Sequence, residues 1–193
     1  MPVPSAALPL GTIAPEFSLP DVSTGATVSS GDLEHSAVLL VVFICNHCPY
    51  VKHAVESIAA VGRDCRDQGV GMVAISSNDA ARYPEDGPGP MAEFAAQHGF
   101  TFPYLYDESQ TVAAAYHAVC TPEPFVFDAD RKLVYHGQLD ASRPGNGLPS
   151  DARDLRAALD AVLAGRSTAE SQQPAAGCSI KWKAGNAPVI TLG

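Results

Sequence analysis

The stretch from Ala37 to Pro49 limits the fold more than any other part of the chain. Ala37-Val38-Leu39-Leu40-Val41-Val42-Phe43-Ile44 is unbroken, apolar and β-branched, the pattern of a central strand covered on both faces. Cys45-Asn46-His47-Cys48-Pro49 follows at once. From Tyr50 the period changes, and Val51, Val55, Ile58, Gly62 and Cys65 recur three or four apart along one helical face. Gln68-Gly69 stops that helix, and Val70 to Ser76 supplies a second buried strand. Strand, helix and strand in this order form a crossover unit with parallel pairing. The two cysteines therefore fall where a strand hands over to a helix. Unpaired backbone N–H groups and the helix dipole stabilise a thiolate there, and thiolate is the nucleophile in disulfide exchange. Asn46 is the expected N-cap, which puts Cys48 and Pro49 in the first turn.

Residues 78–90, with Gly87-Pro88-Gly89-Pro90, read as an exposed loop. A helix is expected from Met91 to His98, a short strand near Phe102 to Tyr106, and a helix around Ser109 to His117. Phe125-Val126-Phe127 and Leu133-Val134-Tyr135-His136-Gly137 flank the turn Asp128-Ala129-Asp130-Arg131 and make an antiparallel hairpin. Asp151 to Leu163 is a helix with Leu155, Leu159 and Val162 on one side and Gly165 as its stop. This order predicts an α/β domain with a mixed central sheet and helices on both faces. The domain spans residues 1–165, including a Pro-, Ser- and Gly-rich N-terminal extension. Residues 166–193 form a C-terminal tail that carries Cys178.

A formal net charge of −9 argues against nucleic acid and anionic membrane as partners. The N-terminal residues lack a basic segment and are interrupted by prolines, so they fail as a signal peptide. The longest apolar run is about half of what a bilayer needs. The chain is therefore expected to be soluble and cytoplasmic, a reducing setting in which each of the five cysteines needs its own explanation.

Cys45 and Cys48 make the expected redox pair. Cys45, His47, Cys48 and His53 also have the donor types of a metal site, and a copper-handling chaperone is the non-enzymatic alternative. No second close cysteine pair supports a zinc site, and neither a metal nor another cofactor is expected. Cys65 continues the helical stripe and reads as core. Cys120, directly before Thr121-Pro122, is either a packed loop thiol or an auxiliary redox thiol. Cys178 precedes Ile180-Lys181-Trp182-Lys183. A tail with the chain's single Trp is expected to fold back over the domain and bring Cys178 up as a third thiol.

The chain resembles thioredoxin-like redoxins of the alkyl hydroperoxide reductase/thiol-specific antioxidant superfamily, within a peroxiredoxin-like branch. The residues carrying the likeness are Ala14-Pro15-Glu16-Phe17-Ser18-Leu19-Pro20, Val41 to Lys52 with its Cys-Asn-His-Cys-Pro-Tyr-Val-Lys, Thr121-Pro122 before Phe125-Val126-Phe127-Asp128, and Gly177 to Lys183. The resemblance implies a thioredoxin fold with an N-terminal extension, a redox dithiol and a cis peptide bond before Pro122 facing it. Thr121 and Pro122 are then substrate-binding residues, because a cis turn beside the dithiol leaves backbone groups free to receive an extended partner chain.

Two activities compete within this resemblance. A peroxiredoxin carries Thr-x-x-Cys-Pro; here Cys48-Pro49 matches its second half, while Cys45 stands in the threonine slot. Peroxiredoxins also hold an arginine near the thiolate, and Thr121-Pro122-Glu123-Pro124 contains none. Thioredoxins carry Cys-x-x-Cys and a Thr-Pro or Ile-Pro at these places. The favoured expectation is a thiol–disulfide oxidoreductase acting on a protein or small-molecule disulfide, with Cys45 attacking and Cys48 resolving. The alternative is a thiol peroxidase acting on a hydroperoxide, with Cys48 attacking. Either needs a thiol reductant as partner.

Overall fold

The computed structural model describes residues 2–5 and 8–188. Its centre is a five-stranded mixed sheet. β4 (Leu39–Phe43) is the middle strand and is buried along its whole length, as the apolar run predicts. Helix α1 (Pro49–Asp67) crosses from β4 to β5 (Gly71–Ser76), and the two strands pair in parallel. β6 (Tyr104–Tyr106) extends the parallel half. β8 (Glu123–Phe127) runs antiparallel to β4 and forms the expected hairpin with β9 (Leu133–Tyr135), giving the order β6-β5-β4-β8-β9.

Alternation along β4 divides the core in two. Leu40, Val42 and Ile44 pack with the apolar stripes of α1, α2 (Pro88–Gln97) and α4 (Arg153–Leu163). Leu39, Val41 and Phe43 pack on the opposite face with Val112 and Ala113 of α3 (Thr111–Ala115), Tyr116, and Phe17 and Leu19 of the N-terminal extension. That extension carries a two-stranded ribbon, β2 (Ser18–Pro20) with β3 (Thr27–Ser29). Every stripe residue of α1, Val51, Val55, Ile58, Gly62 and Cys65, is buried. Gly62 is fixed by contact: a Cβ there would meet the Phe102 ring at 2.2 Å.

A second, three-stranded sheet gathers segments that lie far apart in sequence. β1 (Val3–Pro4), β10 (Ala176–Ser179) and β7 (Cys120–Thr121) pair in the order β1-β10-β7. The segment after Gly165 thus returns across the domain. Ile180 is buried, and Trp182 packs against the same cluster.

Two sequence expectations shift here. The helix expected from Met91 begins at Pro88, with Gly87 as its N-cap, because proline is well suited to a first helical position. Residues 78–90 are also not simply an exposed loop: Asn78, Asp79 and Asp86 are buried, and Asp86, with Asn78 bonded to it, faces the junction between β4 and α1. Proline and glycine marked the turns of this segment correctly and hid its buried polar side chains.

Candidate active site

The N-cap of α1 is Cys48, two residues later than expected, and Pro49 takes the first helical position. A proline there forgoes only an N–H that the helix would leave unpaired. Asn46 is occupied elsewhere. Its side-chain amide donates to the Glu85 carbonyl at 2.8 Å, and its Oδ1 accepts from the Tyr104 hydroxyl at 3.1 Å. The turn before the helix is held by Asp86, which is fully buried. Asp86 Oδ1 accepts the backbone N–H groups of Asn46 at 2.8 Å and His47 at 3.2 Å. Its Oδ2 meets His47 Nδ1 at 2.5 Å and accepts from the Asn78 amide at 2.8 Å. His47 is stacked on Tyr83.

The turn brings Cys45 and Cys48 together, with exposures of 1% and 0%, and no disulfide joins them. Both sulfurs face Thr121, and the Thr121–Pro122 bond is cis. Cys45 Sγ lies 3.4 Å from Thr121 Oγ1, and the Cys48 thiol donates to the Thr121 carbonyl at 3.2 Å. The dithiol and the cis-proline loop are thus in direct contact.

The environments of the two thiols differ in sign. Cys48 is lowered to about 5, chiefly by the hydrogen bond from Cys45, with Thr121, Cys178 and the Val51 N–H also favouring the thiolate against burial. Cys45 is raised, by its hydrogen bond to Cys48 first, then by burial and by the Asp86 charge. One proton is therefore shared within the pair, and Cys48 is the member that gives it up. When both are protonated Cys48 donates to Thr121; on ionisation it becomes the acceptor of the surrounding donors.

The other cysteines divide as follows. Cys178, on β10, is half-buried, stands opposite Thr121 and packs against the cluster that holds Cys45 and Cys48; burial first and then Cys48 raise it to about 11. Cys120 is buried, and its thiol is pushed up by burial and by Glu123. Cys65 is buried in α1, where burial raises it to about 12, as a core cysteine requires.

A second buried carboxylate supports the cis-proline loop. Glu123 Oε2 accepts the N–H groups of Val119 at 2.8 Å and Cys120 at 3.0 Å, while Oε1 pairs with His136 Nε2 at 2.8 Å. His136 lies flat on Phe125. Asp86, Glu123 and His136 were not singled out in the sequence. Each partner is distant along the chain or sits in a turn-rich segment, and a lone Glu beside proline gives no periodic signal.

Cys45, His47 and Asp86 bring ligand-type atoms within 4.8 Å of one another. The donor set does not suit a metal. Asp86 already accepts four N–H groups, which fills the lone-pair positions of a carboxylate, and His47 has turned Nδ1 to it. His53 lines a cavity of about 20 Å³ with Tyr50, Pro122 and Arg143 and is absent from this cluster. Arg143 points its guanidinium at Gln138, Asp140 and Ser142, and no arginine among the described residues bonds either active-site sulfur. Among the described residues no helix is long and apolar enough to cross a membrane.

Among solved structures, an uncharacterized conserved protein from Geobacillus kaustophilus is 50% identical, with a TM-score of 0.93 over 95% of this chain and 97% of that one. A hypothetical protein from Sinorhizobium meliloti is 46% identical, with a TM-score of 0.92 over 94% of this chain and 99% of its own. A thiol:disulfide interchange protein of the thioredoxin family from Chlorobium tepidum is 19% identical. It covers 81% of this chain and 99% of its own, with a TM-score of 0.62, and the fold is the thioredoxin fold. No curated protein matches. The profile of the AhpC/TSA family matches residues 10–136, a span holding Cys45, Cys48, Asp86 and the cis-proline loop with its Glu123–His136 support, and the chain belongs to that family.

Proposed function

We propose that the protein is a thiol–disulfide oxidoreductase whose working groups are Cys45 and Cys48. One observation carries this reading: two free, buried cysteines at a helix N-terminus both lie against Thr121 of a cis-proline loop. A buried pair that ionises once supplies a thiolate to attack a disulfide and a neighbouring thiol to resolve the product. The electrostatics support Cys48 as the attacking sulfur and Cys45 as the resolving one, the reverse of the order that the thioredoxin-like pattern suggests. Thr121 holds both sulfurs in place, through its hydroxyl and its carbonyl. An external thiol closes the cycle.

The second reading is reduction of a hydroperoxide by Cys48, favoured by the same acidic Cys48. Against it, no arginine among the described residues bonds either sulfur, where a cation would stabilise charge on a departing oxygen. A copper-handling role ranks below both, because Asp86 is saturated and withdraws His47 Nδ1 from the sulfurs. The test compares wild type, Cys45→Ser and Cys48→Ser in disulfide reduction and in hydroperoxide consumption. Cys48→Ser is expected to abolish exchange, and Cys45→Ser to slow it while Cys48 still forms the first disulfide with the substrate. Hydroperoxide consumption that outpaces exchange and survives Cys45→Ser would put the second reading first. Activity indifferent to both substitutions would end the dithiol reading.

A further inference from the structure

β7 leads directly into cis-Pro122, and a strand edge beside a dithiol is where an extended partner chain would add by main-chain hydrogen bonds. In this protein that edge is already paired. β10 lies on it antiparallel, with Cys178 opposite Thr121 and Ser179 opposite Cys120, and Ile180 N–H donates to the Val119 carbonyl at 2.9 Å. β1 covers the other edge of β10.

The pairing is built into the sequence at several points. A Cβ on Gly177 would lie 1.9 Å from the Thr121 carbonyl oxygen, so only glycine lets the strand approach this closely. Beyond the strand, Lys181 N–H donates to Asn78 Oδ1 at 2.8 Å, and the Lys181 carbonyl accepts from Asp79 N–H at 2.8 Å. Gln110 binds both the Lys181 carbonyl and the Lys183 N–H. The strand therefore enters the groove in one register and carries one sulfur to the dithiol.

We propose that β10 acts as a built-in partner chain, and that Cys178 is the port through which the closed Cys45–Cys48 pair trades its disulfide with external thiols. The inference rests on the oxidoreductase reading and deepens it. Cys45 and Cys48 are shut off from solvent, whereas Cys178 is half-open, packs against the cluster that holds Cys48 and stands opposite Thr121, whose carbonyl accepts from Cys48.

The chemistry balances without another oxidant. Starting from the Cys45–Cys48 disulfide, the Cys178 thiolate attacks Cys48 Sγ. The Cys48–Cys178 bond forms, the Cys45–Cys48 bond breaks, and Cys45 leaves as a thiolate that takes the proton Cys178 gave up. An external dithiol then attacks Cys178 Sγ and expels Cys48 as a thiolate. Its second sulfur attacks the first, releases Cys178 and leaves the external molecule as a disulfide. Two electrons enter the protein and the external dithiol is oxidised. The order of events is also set locally. In the reduced site burial and Cys48 both favour the Cys178 thiol; with Cys48 in a disulfide its share is gone, which eases ionisation of Cys178 beside Lys181.

The test oxidises the full chain with one equivalent of a small aromatic disulfide, blocks free thiols and maps disulfides by peptide mass spectrometry. Cys48–Cys178 is expected beside Cys45–Cys48 in wild type, and as the sole internal disulfide in Cys45→Ser. Dithiothreitol is expected to reduce the Cys45–Cys48 bond at least about tenfold more slowly in both Cys178→Ser and Cys178→Ala than in wild type, with Cys65→Ser as the control. Wild-type reduction rates in both Cys178 variants, or a Cys178 that stays free in Cys45→Ser, would overturn the port alone. If wild type releases no aromatic thiol at all, the oxidoreductase reading fails and the port with it.

Discussion

Two buried carboxylates flank the dithiol, and they are built alike. Asp86 and Glu123 are both fully buried; each accepts two consecutive backbone N–H groups, and each pairs with a histidine. Asp86 fixes the turn that presents Cys45 and Cys48, and Glu123 fixes the loop that presents Thr121 and Pro122. The difference lies in the histidines. The His136 side chain is 4% exposed and flat against Phe125, whereas the His47 side chain is 19% exposed and stacked on Tyr83. Asp86 also acts on Cys45 through its charge, while the thiol raised by Glu123 is Cys120. One pair opens partly to solvent beside the dithiol; the other is a sealed brace.

The largest effect is expected from removing the sealed brace. Glu123→Ala strands His136 and two N–H groups in the core and should cost about 3–5 kcal/mol in a denaturant melt. Asp86→Ala, with one wall open to water, should cost about 1–3 kcal/mol. Equal losses would break the contrast between the two sites. Next comes acid–base behaviour. Asp86→Asn removes a charge that raises Cys45, so Cys45 should be alkylated faster at a given pH in a Cys48→Ser background, and Glu123→Gln should leave that rate where it was. A matching response to both substitutions would show that Asp86 acts only as a scaffold.

A third effect concerns pH. Cys48 falls to about 5 in the folded protein, against about 8.5 for a free thiol. The folded state therefore binds fewer protons between these values, and stability rises with pH across them. The contribution is complete above the unfolded value and is lost as pH falls through about 5. It exists only while Cys48 is reduced, so the stability of the reduced form relative to the disulfide form should decline on acidification, read by paired melts. A pH-independent difference would remove Cys48 as the thiolate. The smallest effect is expected from His47→Gln, about 1 kcal/mol, because the backbone N–H groups on Asp86 remain.

How much of this could be read beforehand depended on the range of the interactions. β4, the stripe from Val51 to Cys65 and the hairpin around Asp128 follow from local periodicity, and the structure contains them. The helix start was misplaced because Asn46 is a good cap by type, yet Glu85 and Tyr104 claim its side chain from elsewhere in the chain. The cis bond before Pro122 was legible only through the family resemblance. Asp86 was hidden because a carboxylate among prolines and glycines looks solvated, and only the folded chain brings Asn46, His47 and Asn78 to it. The return of the tail was signalled by Trp182 and Ile180, which need an apolar surface; its register against Thr121 was not.

The sheet β1-β10-β7 also fixes a timetable. Its strands come from residues 3–4, 120–121 and 176–179, so β7 stays open on one side until the last of them has left the ribosome. The helix N-terminus, the cis-proline loop and both buried carboxylates are synthesised well before that. A nascent chain therefore carries Cys45 and Cys48 beside an unclosed edge, open to passing thiols and strands. Only the final segment seals them.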